Sequence, residues 1–203
     1  MQRRRALQLI ATSALSISAT RLFIACSEQK SNFNAVDITG ADYAKDFELT
    51  DHNGQLRHLK DFAGKVVVIF FGYTQCPDVC PTSMAELAAI KKELGANGNK
   101  LQGLFVTIDP ERDTPLVLKA YMTNFDPTFL ALRAPPDKLA ALARDYKIFY
   151  KKVEGKTPTS YSMDHSAGSF VYDAKSQLRL YARYGGPIAP LTADIAALIQ
   201  QTG

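Results

Sequence analysis

Val66-Val67-Val68-Ile69-Phe70-Phe71-Gly72-Tyr73-Thr74-Gln75-Cys76-Pro77-Asp78-Val79-Cys80-Pro81 is the stretch from which the fold can be read. Six apolar residues in succession, without alternation, describe a strand covered on both faces. From Thr82 to Leu94 the pattern changes: Met84, Leu87, Ile90 and Leu94 recur at helical spacing, and Ala85, Ala88 and Ala89 add helix propensity. Pro81 suits the first turn, where a missing N–H costs nothing, and Gly95 stops the helix. Two of the three cysteines therefore stand where a buried strand hands over to a helix. Four residues apart on a helix, they share a face and can reach one metal ion or each other. A disulfide is equally within reach, since it needs Cα atoms within about 7 Å.

Working outward, Asp46 to Leu49 alternates, Asp51-His52-Asn53-Gly54 forms a turn, and Gln55 to Leu59 resumes alternation, which predicts a β-hairpin before the central strand. Downstream, Leu101 to Ile108 is a second buried strand, ending in Asp109-Pro110-Glu111-Arg112-Asp113-Thr114-Pro115. Asp113 or Thr114 can cap a helix with Pro115 in its first turn and Leu116, Leu118, Tyr121, Met122 and Phe125 on its apolar side. A short strand over Phe129 to Leu132, a helix from Pro136 to Arg144 and an extended, lysine-bearing Ile148 to Val153 follow. Glu154 to Tyr161 is a loop or hairpin tip. Ser169 to Tyr172 and Gln177 to Tyr184 make an antiparallel pair, and Pro190 to Gln200 is a closing helix. Alternating strands and helices, then a hairpin and a helix, describe an α/β sandwich with a mixed sheet. There is no internal repeat and no domain break.

Among the 24 Lys and Arg, Arg3, Arg4, Arg5 and Arg21 fall in the first 26 residues, which hold no acid; with those four set aside, 20 basic residues face 20 acidic ones. The net charge of +4 thus belongs to the leading segment and gives no support to nucleic-acid recognition. Residues 1–26 read as a bacterial export signal: a basic start, a short apolar middle from Leu7 to Ile17, then Leu22-Phe23-Ile24-Ala25-Cys26. That ending has the form of a lipoprotein cleavage box, with Cys26 as the lipidated residue. The chain is then expected on the periplasmic face of the inner membrane, lipid-anchored, with residues 27–44 as a tether and 45–203 as one domain. Outside the cytoplasm, thiols meet an oxidising environment.

Cys76 and Cys80 are thus a pair near a helix N-terminus, where the dipole and free N–H groups favour thiolates. Three intervening residues differ from the two of the common dithiol redox motif. The spacing admits chelation of a soft metal, Cu(I) or Zn, as well as disulfide exchange or a structural staple. A third ligand is available in Met163-Asp164-His165-Ser166. There His165 is the candidate, Asp164 can orient its imidazole, and Met163 is a weak thioether or a gap filler. Asp78, between the cysteines, is a loop or helix-cap acceptor or an outer partner of the metal. His52 and His58 read as surface groups. Lys147, Lys151, Lys152 and Lys156 form a solvated edge or face an acidic partner.

Taken together and in order, Gly72 to Pro81, Asp109 to Pro115 and Asp164-His165-Ser166 resemble the SCO1/SenC family of thioredoxin-like copper proteins. The resemblance covers the chain from about Asp46 onward. It implies a thioredoxin-like α/β fold, a central mixed sheet flanked by helices with an N-terminal β-hairpin, and Cu(I) or Cu(II) held by Cys76, Cys80 and His165. It also implies service to the CuA site of cytochrome c oxidase, by copper delivery, by reduction of the oxidase subunit's oxidised copper-ligating cysteines, or by both. Other copper chaperones and thiol reductases are implied as partners. Family members are commonly held by a transmembrane helix, whereas this chain offers Cys26. That difference leaves room for delivery to another exported copper enzyme.

Overall fold

The computed structural model describes residues 33–157 and 160–201. The expected export signal, Cys26 and the first part of the expected tether lie outside the described residues. The apolar run becomes the strand Val66–Gly72 (β4), with all seven residues buried. It lies inside an eight-stranded sheet of order β1-β10-β9-β4-β5-β6-β2-β3. The other members are Val36–Asp37 (β1), Leu49–Asp51 (β2), Leu56–Arg57 (β3), Leu101–Thr107 (β5), Leu130–Arg133 (β6), Ser169–Tyr172 (β9) and Leu178–Ala182 (β10). β4 runs parallel to β5, from Val66 beside Leu101 to Gly72 beside Thr107, and antiparallel to β9. A separate two-stranded ribbon is made by Tyr150–Val153 (β7) and Ser162–His165 (β8). The helices are Val79–Glu93 (α1), Pro115–Met122 (α2), Pro136–Asp145 (α3) and Ile188–Gln200 (α4). This is the expected mixed sheet flanked by helices, with β2 and β3 as its N-terminal hairpin. Gly54, at φ +84° in the hairpin turn, adopts a backbone that a side chain would resist.

Strand pleating sends successive side chains to opposite faces, and the aromatic residues of β4 use both. Phe70 meets Phe105, with centroids 6.3 Å apart. Phe71 turns the other way, to Tyr146 beyond α3 at 5.1 Å and Phe170 at 6.2 Å. Met84, Leu87 and Ile90 bury the apolar stripe of α1, and α1 packs beside α4. Each such side chain is worth roughly 1.5–3 kcal/mol when fully buried. The phenols of Tyr172 and Tyr146 are paired: Tyr172 donates to the Ala44 carbonyl at 2.7 Å and lies 3.1 Å from the Tyr146 hydroxyl.

Three expectations are corrected. The segment expected to be a tether is, from Phe33 on, part of the fold: β1 pairs with β10, and buried Asp194 of α4 accepts the backbone N–H of Asn34 and Ala35 at 2.8–3.0 Å. α1 begins at Val79 and not at Thr82, which puts Cys80 inside its first turn. Leu116 is 78% exposed; the helical period sets Leu118, Tyr121, Met122 and Phe125 on one face and leaves Leu116 off it. The ribbon fits the hairpin-tip reading of Glu154 to Tyr161, but its strand β8 was not assigned, because Ser-Met-Asp-His carries no apolar run.

Candidate metal centre

β4 ends at Gly72 and releases the loop 73–78 at the C-terminal edge of the sheet, where the Cys76 N–H bonds the Tyr73 carbonyl at 3.2 Å. Cys76 is half-buried and Cys80 fully buried, and both are free thiols. Gly72 makes room for Cys80: a Cβ there would stand 2.8 Å from its Sγ, 2.8 Å from Phe70 and 2.9 Å from Phe105. The sulfur thus sits in a hollow between two rings.

His165 arrives from the end of β8. Its Nε2 is 3.5 Å from the Cys80 Sγ, and its Nδ1 is 2.8 Å from the Ser166 carbonyl. A carbonyl only accepts, so Nδ1 carries the proton and Nε2 turns its lone pair toward the cysteines. Phe70 and Tyr73 hold the ring edge-on at 6.1 and 6.0 Å. The sulfurs of Cys76 and Cys80 and a nitrogen of His165 all lie within 4.8 Å of one another. Thiolate and imidazole donors about 2.0–2.3 Å from a small ion in a trigonal plane are roughly 3.5–4 Å apart. A slight contraction therefore closes these three donors on one ion. Two sulfurs and one imidazole are a soft set, suited to Cu(I) or Zn and poorly to Mg or Ca.

The thiols differ from the expected helix-activated pair. Burial pushes the Cys80 thiol well above its ordinary value of 9.0, against the backbone N–H of Tyr73, and the neighbouring Cys76 and Asp113 push it further. Desolvation outweighs the helix N-terminus, so the metal-free Cys80 keeps its proton. The two sulfurs lie within 4.8 Å of each other.

Two residues of the loop 109–115 tie the site together. Asp113, fully buried, does not cap α2; that role falls to Thr114, whose Oγ1 accepts the Val117 N–H at 3.3 Å. The Asp113 carboxylate instead accepts the Thr74 hydroxyl at 2.6 Å, the Thr74 N–H at 3.1 Å and the Thr107 hydroxyl at 2.6 Å, bolting the cysteine loop to β5. Burial raises its pKa despite these donors. Arg112 reaches further. Its Nη1 donates to the Gln75 side chain at 3.1 Å and the Tyr161 carbonyl at 2.8 Å, and its Nε donates to Asp109. The guanidinium stacks on the Tyr161 ring at 3.5 Å, and the Tyr161 hydroxyl donates to Asp109 at 2.8 Å. Tyr161 immediately precedes β8, so this cluster joins the cysteine loop to the strand that carries His165.

Of the other candidates, Asp164 is exposed on the face of β8 opposite His165, across from Lys151, and the imidazole is oriented by Ser166 instead. Asp78 is exposed at the α1 N-terminus, with its carboxylate 3.4 Å from the Thr82 hydroxyl. Met163 shares the His165 face and packs against the core. His52 is structural: its Nδ1 accepts the Ala131 N–H at 3.1 Å and ties the hairpin turn to β6. His58 stands 3.8 Å from Asp46, away from the cysteines. Arg112 and Tyr161 were not singled out from the residues, and Asp113 was read only as a helix cap, although Arg112 and Asp113 lie in the quoted motif Asp109 to Pro115.

The SCO1/SenC family model matches residues 36–200. A SCO2-like protein of Rickettsia felis is 37% identical over 133 residues, 65% of each chain, so the chain spans about 65% of the length of that curated relative. Bradyrhizobium japonicum ScoI, solved with copper bound, is 35% identical with a TM-score of 0.65 and overlaps 78% of this chain and 98% of its own. Arabidopsis thaliana ScoI, also solved with copper bound, is 28% identical with a TM-score of 0.71 over 77% of this chain and 97% of its own. With the whole sheet, the cysteine loop and the histidine strand inside the matched span, the chain belongs to the SCO1/SenC family.

Proposed function

We propose that this protein is a copper chaperone that carries one copper ion on Cys76, Cys80 and His165 and serves the CuA site of cytochrome c oxidase. The observation that carries the reading is the meeting of three soft donors, from segments 85 residues apart, within 4.8 Å. The related ScoI proteins of Arabidopsis thaliana and Bradyrhizobium japonicum, solved with copper bound, support copper over zinc. Copper here is cargo: it is held by two thiolates and an imidazole and leaves by ligand exchange. The chain's own residues do the rest. Ser166 fixes the tautomer that presents Nε2, Asp113 and Arg112 hold the loop and the ribbon in register, and half-buried Cys76 is the accessible donor at which a partner's ligand can enter. Loading releases the Cys80 proton, so acid opposes it.

A second reading rests on the nearness of the two sulfurs, within 4.8 Å: the pair can close to a disulfide and so reduce a partner's copper-ligating cysteines. Each such exchange takes two electrons from Cys76 and Cys80 and gives them to the partner's disulfide. For the rest of the chain we propose the export signal 1–26, lipidation at Cys26 and a place on the periplasmic face of the inner membrane. Among the described residues no helix is long and apolar enough to cross a membrane. The test of function is to mix the copper-loaded full chain with the CuA-bearing domain of the oxidase, once with its cysteines reduced and once as the disulfide. Copper appearing in the reduced domain supports delivery. New partner thiols with no metal transferred would replace delivery by the oxidoreductase reading.

A further inference from the structure

The ring of Tyr121, on α2, is wedged between Phe105 at 5.3 Å and Phe125 at 5.0 Å. Its direction is therefore set by packing. Its hydroxyl is buried, and it has no hydrogen-bond partner among the described residues. Buried polar groups are nearly always paired, so an unpaired phenol beside a functional site asks for a reason. The surroundings supply one. Phe105 packs on one side against Tyr121, and on the other it walls the Gly72 hollow that receives the Cys80 sulfur. Cys80, Cys76 and Asp113 are the groups that bear electrostatically on the phenol, which places it in the neighbourhood of the metal centre.

We propose that the Tyr121 hydroxyl is held in reserve as a hydrogen-bond donor to a cysteine sulfur of the loaded metal centre, where it tunes the copper–thiolate bond. The inference rests on the copper reading above. A neutral thiol accepts hydrogen bonds poorly, whereas a metal-bound sulfur is a thiolate and accepts them well. A donor already desolvated and fixed by the packing of its ring loses little further freedom when the loaded centre offers it an acceptor. Burial, followed by the charges of the two cysteines and Asp113, raises the phenol's pKa, so it remains a donor over the working pH range. Hydrogen bonds to a copper-bound cysteine withdraw charge from sulfur, and in copper proteins they tune the reduction potential. Tyr121 is thus a positioning and tuning residue that favours Cu(I) retention over Cu(II).

Tyr121→Phe removes the hydroxyl and keeps the ring. The full chain and this variant are loaded with Cu(II), and the sulfur-to-copper charge-transfer band and the Cu(II)/Cu(I) potential are recorded for both. The inference predicts a band moved to lower energy in Y121F and a preference for Cu(I) reduced roughly tenfold, which is about 59 mV for a one-electron couple. Identical bands and potentials in the two proteins would overturn it and leave the copper reading standing. A wild-type chain that binds no copper overturns the copper reading, and this inference with it. In the metal-free state Y121F should be at least as stable as wild type, since no bond is lost; a less stable variant would mean that the hydroxyl is already engaged in the metal-free protein and would count against a reserve donor.

Discussion

At the scale of single residues, the site depends on an absent side chain and a buried thiol. Gly72→Ala places a methyl group 2.8 Å from the Cys80 sulfur and against two core rings. Overpacking of this kind costs about 1–3 kcal/mol, and it displaces a metal ligand as well. Urea denaturation should show that loss and a Cu(I) titration a weakened site; a variant equal to wild type in both would refute the hollow. For Cys80 the sign of the pH effect follows from burial. Its folded thiol ionises only well above 9.0, whereas the unfolded chain ionises near that value. Stability from the neutral thiol is complete below pH 9.0 and is lost as pH rises past it. Denaturation of the reduced, metal-free protein from about pH 7 to about pH 10 should show wild type losing stability relative to Cys80→Ser above the ordinary thiol range. Curves that stay parallel throughout would show that the thiol is not buried in solution. None of this was legible from the motif alone, since a cysteine at a helix start suggests a low pKa. Only the Phe70 and Phe105 rings around Gly72 reveal that desolvation prevails.

At the scale of elements, the strand–loop–helix carrying the cysteines could be read directly, because β4 is an uninterrupted apolar run and α1 keeps a strict helical period. The ribbon carrying His165 could not. β8 alternates exposed with half-buried residues, and β7 exposes three of its four. What holds it beside the site is Arg112, which spans Asp109, Gln75 and Tyr161, and no apolar pattern encodes such a clamp. Arg112→Ala should therefore loosen His165 relative to the thiols while leaving the sheet intact. Residues that orient metal ligands typically contribute 10–100-fold in affinity, and a loss of about that size is expected in competition with a Cu(I) chelator. Arg112→Lys should recover little of it, because one ammonium cannot replace a fork that bonds three groups and stacks on a ring. Full affinity in Arg112→Ala would remove the clamp from the account.

At the scale of the whole molecule, the α/β class and the order of its strands and helices followed from period and turn signals, but the N-terminal limit of the domain did not. β1 is two residues long with both side chains exposed. Its attachment is made by main chain and by one acid, Asp194, buried on α4 some 160 residues away. Asp194→Ala leaves the part-buried N–H groups of Asn34 and Ala35 without their charged acceptor, at a cost of about 1.5–3 kcal/mol. Urea denaturation should show this as a lower midpoint for the whole transition; an unchanged midpoint would return the segment to the status of a tether. The same long-range closure brings His165 to Cys76 and Cys80, and on it the functional reading depends. The most direct measurement is an anaerobic titration of the reduced full chain with Cu(I) against a chromogenic chelator, run beside Cys76→Ser, Cys80→Ser and His165→Ala. The account predicts one tightly held copper per wild-type chain and a severe loss of affinity in each of the three variants. Copper bound equally well without His165 would contradict it, and so would a wild-type chain that leaves the copper with the chelator.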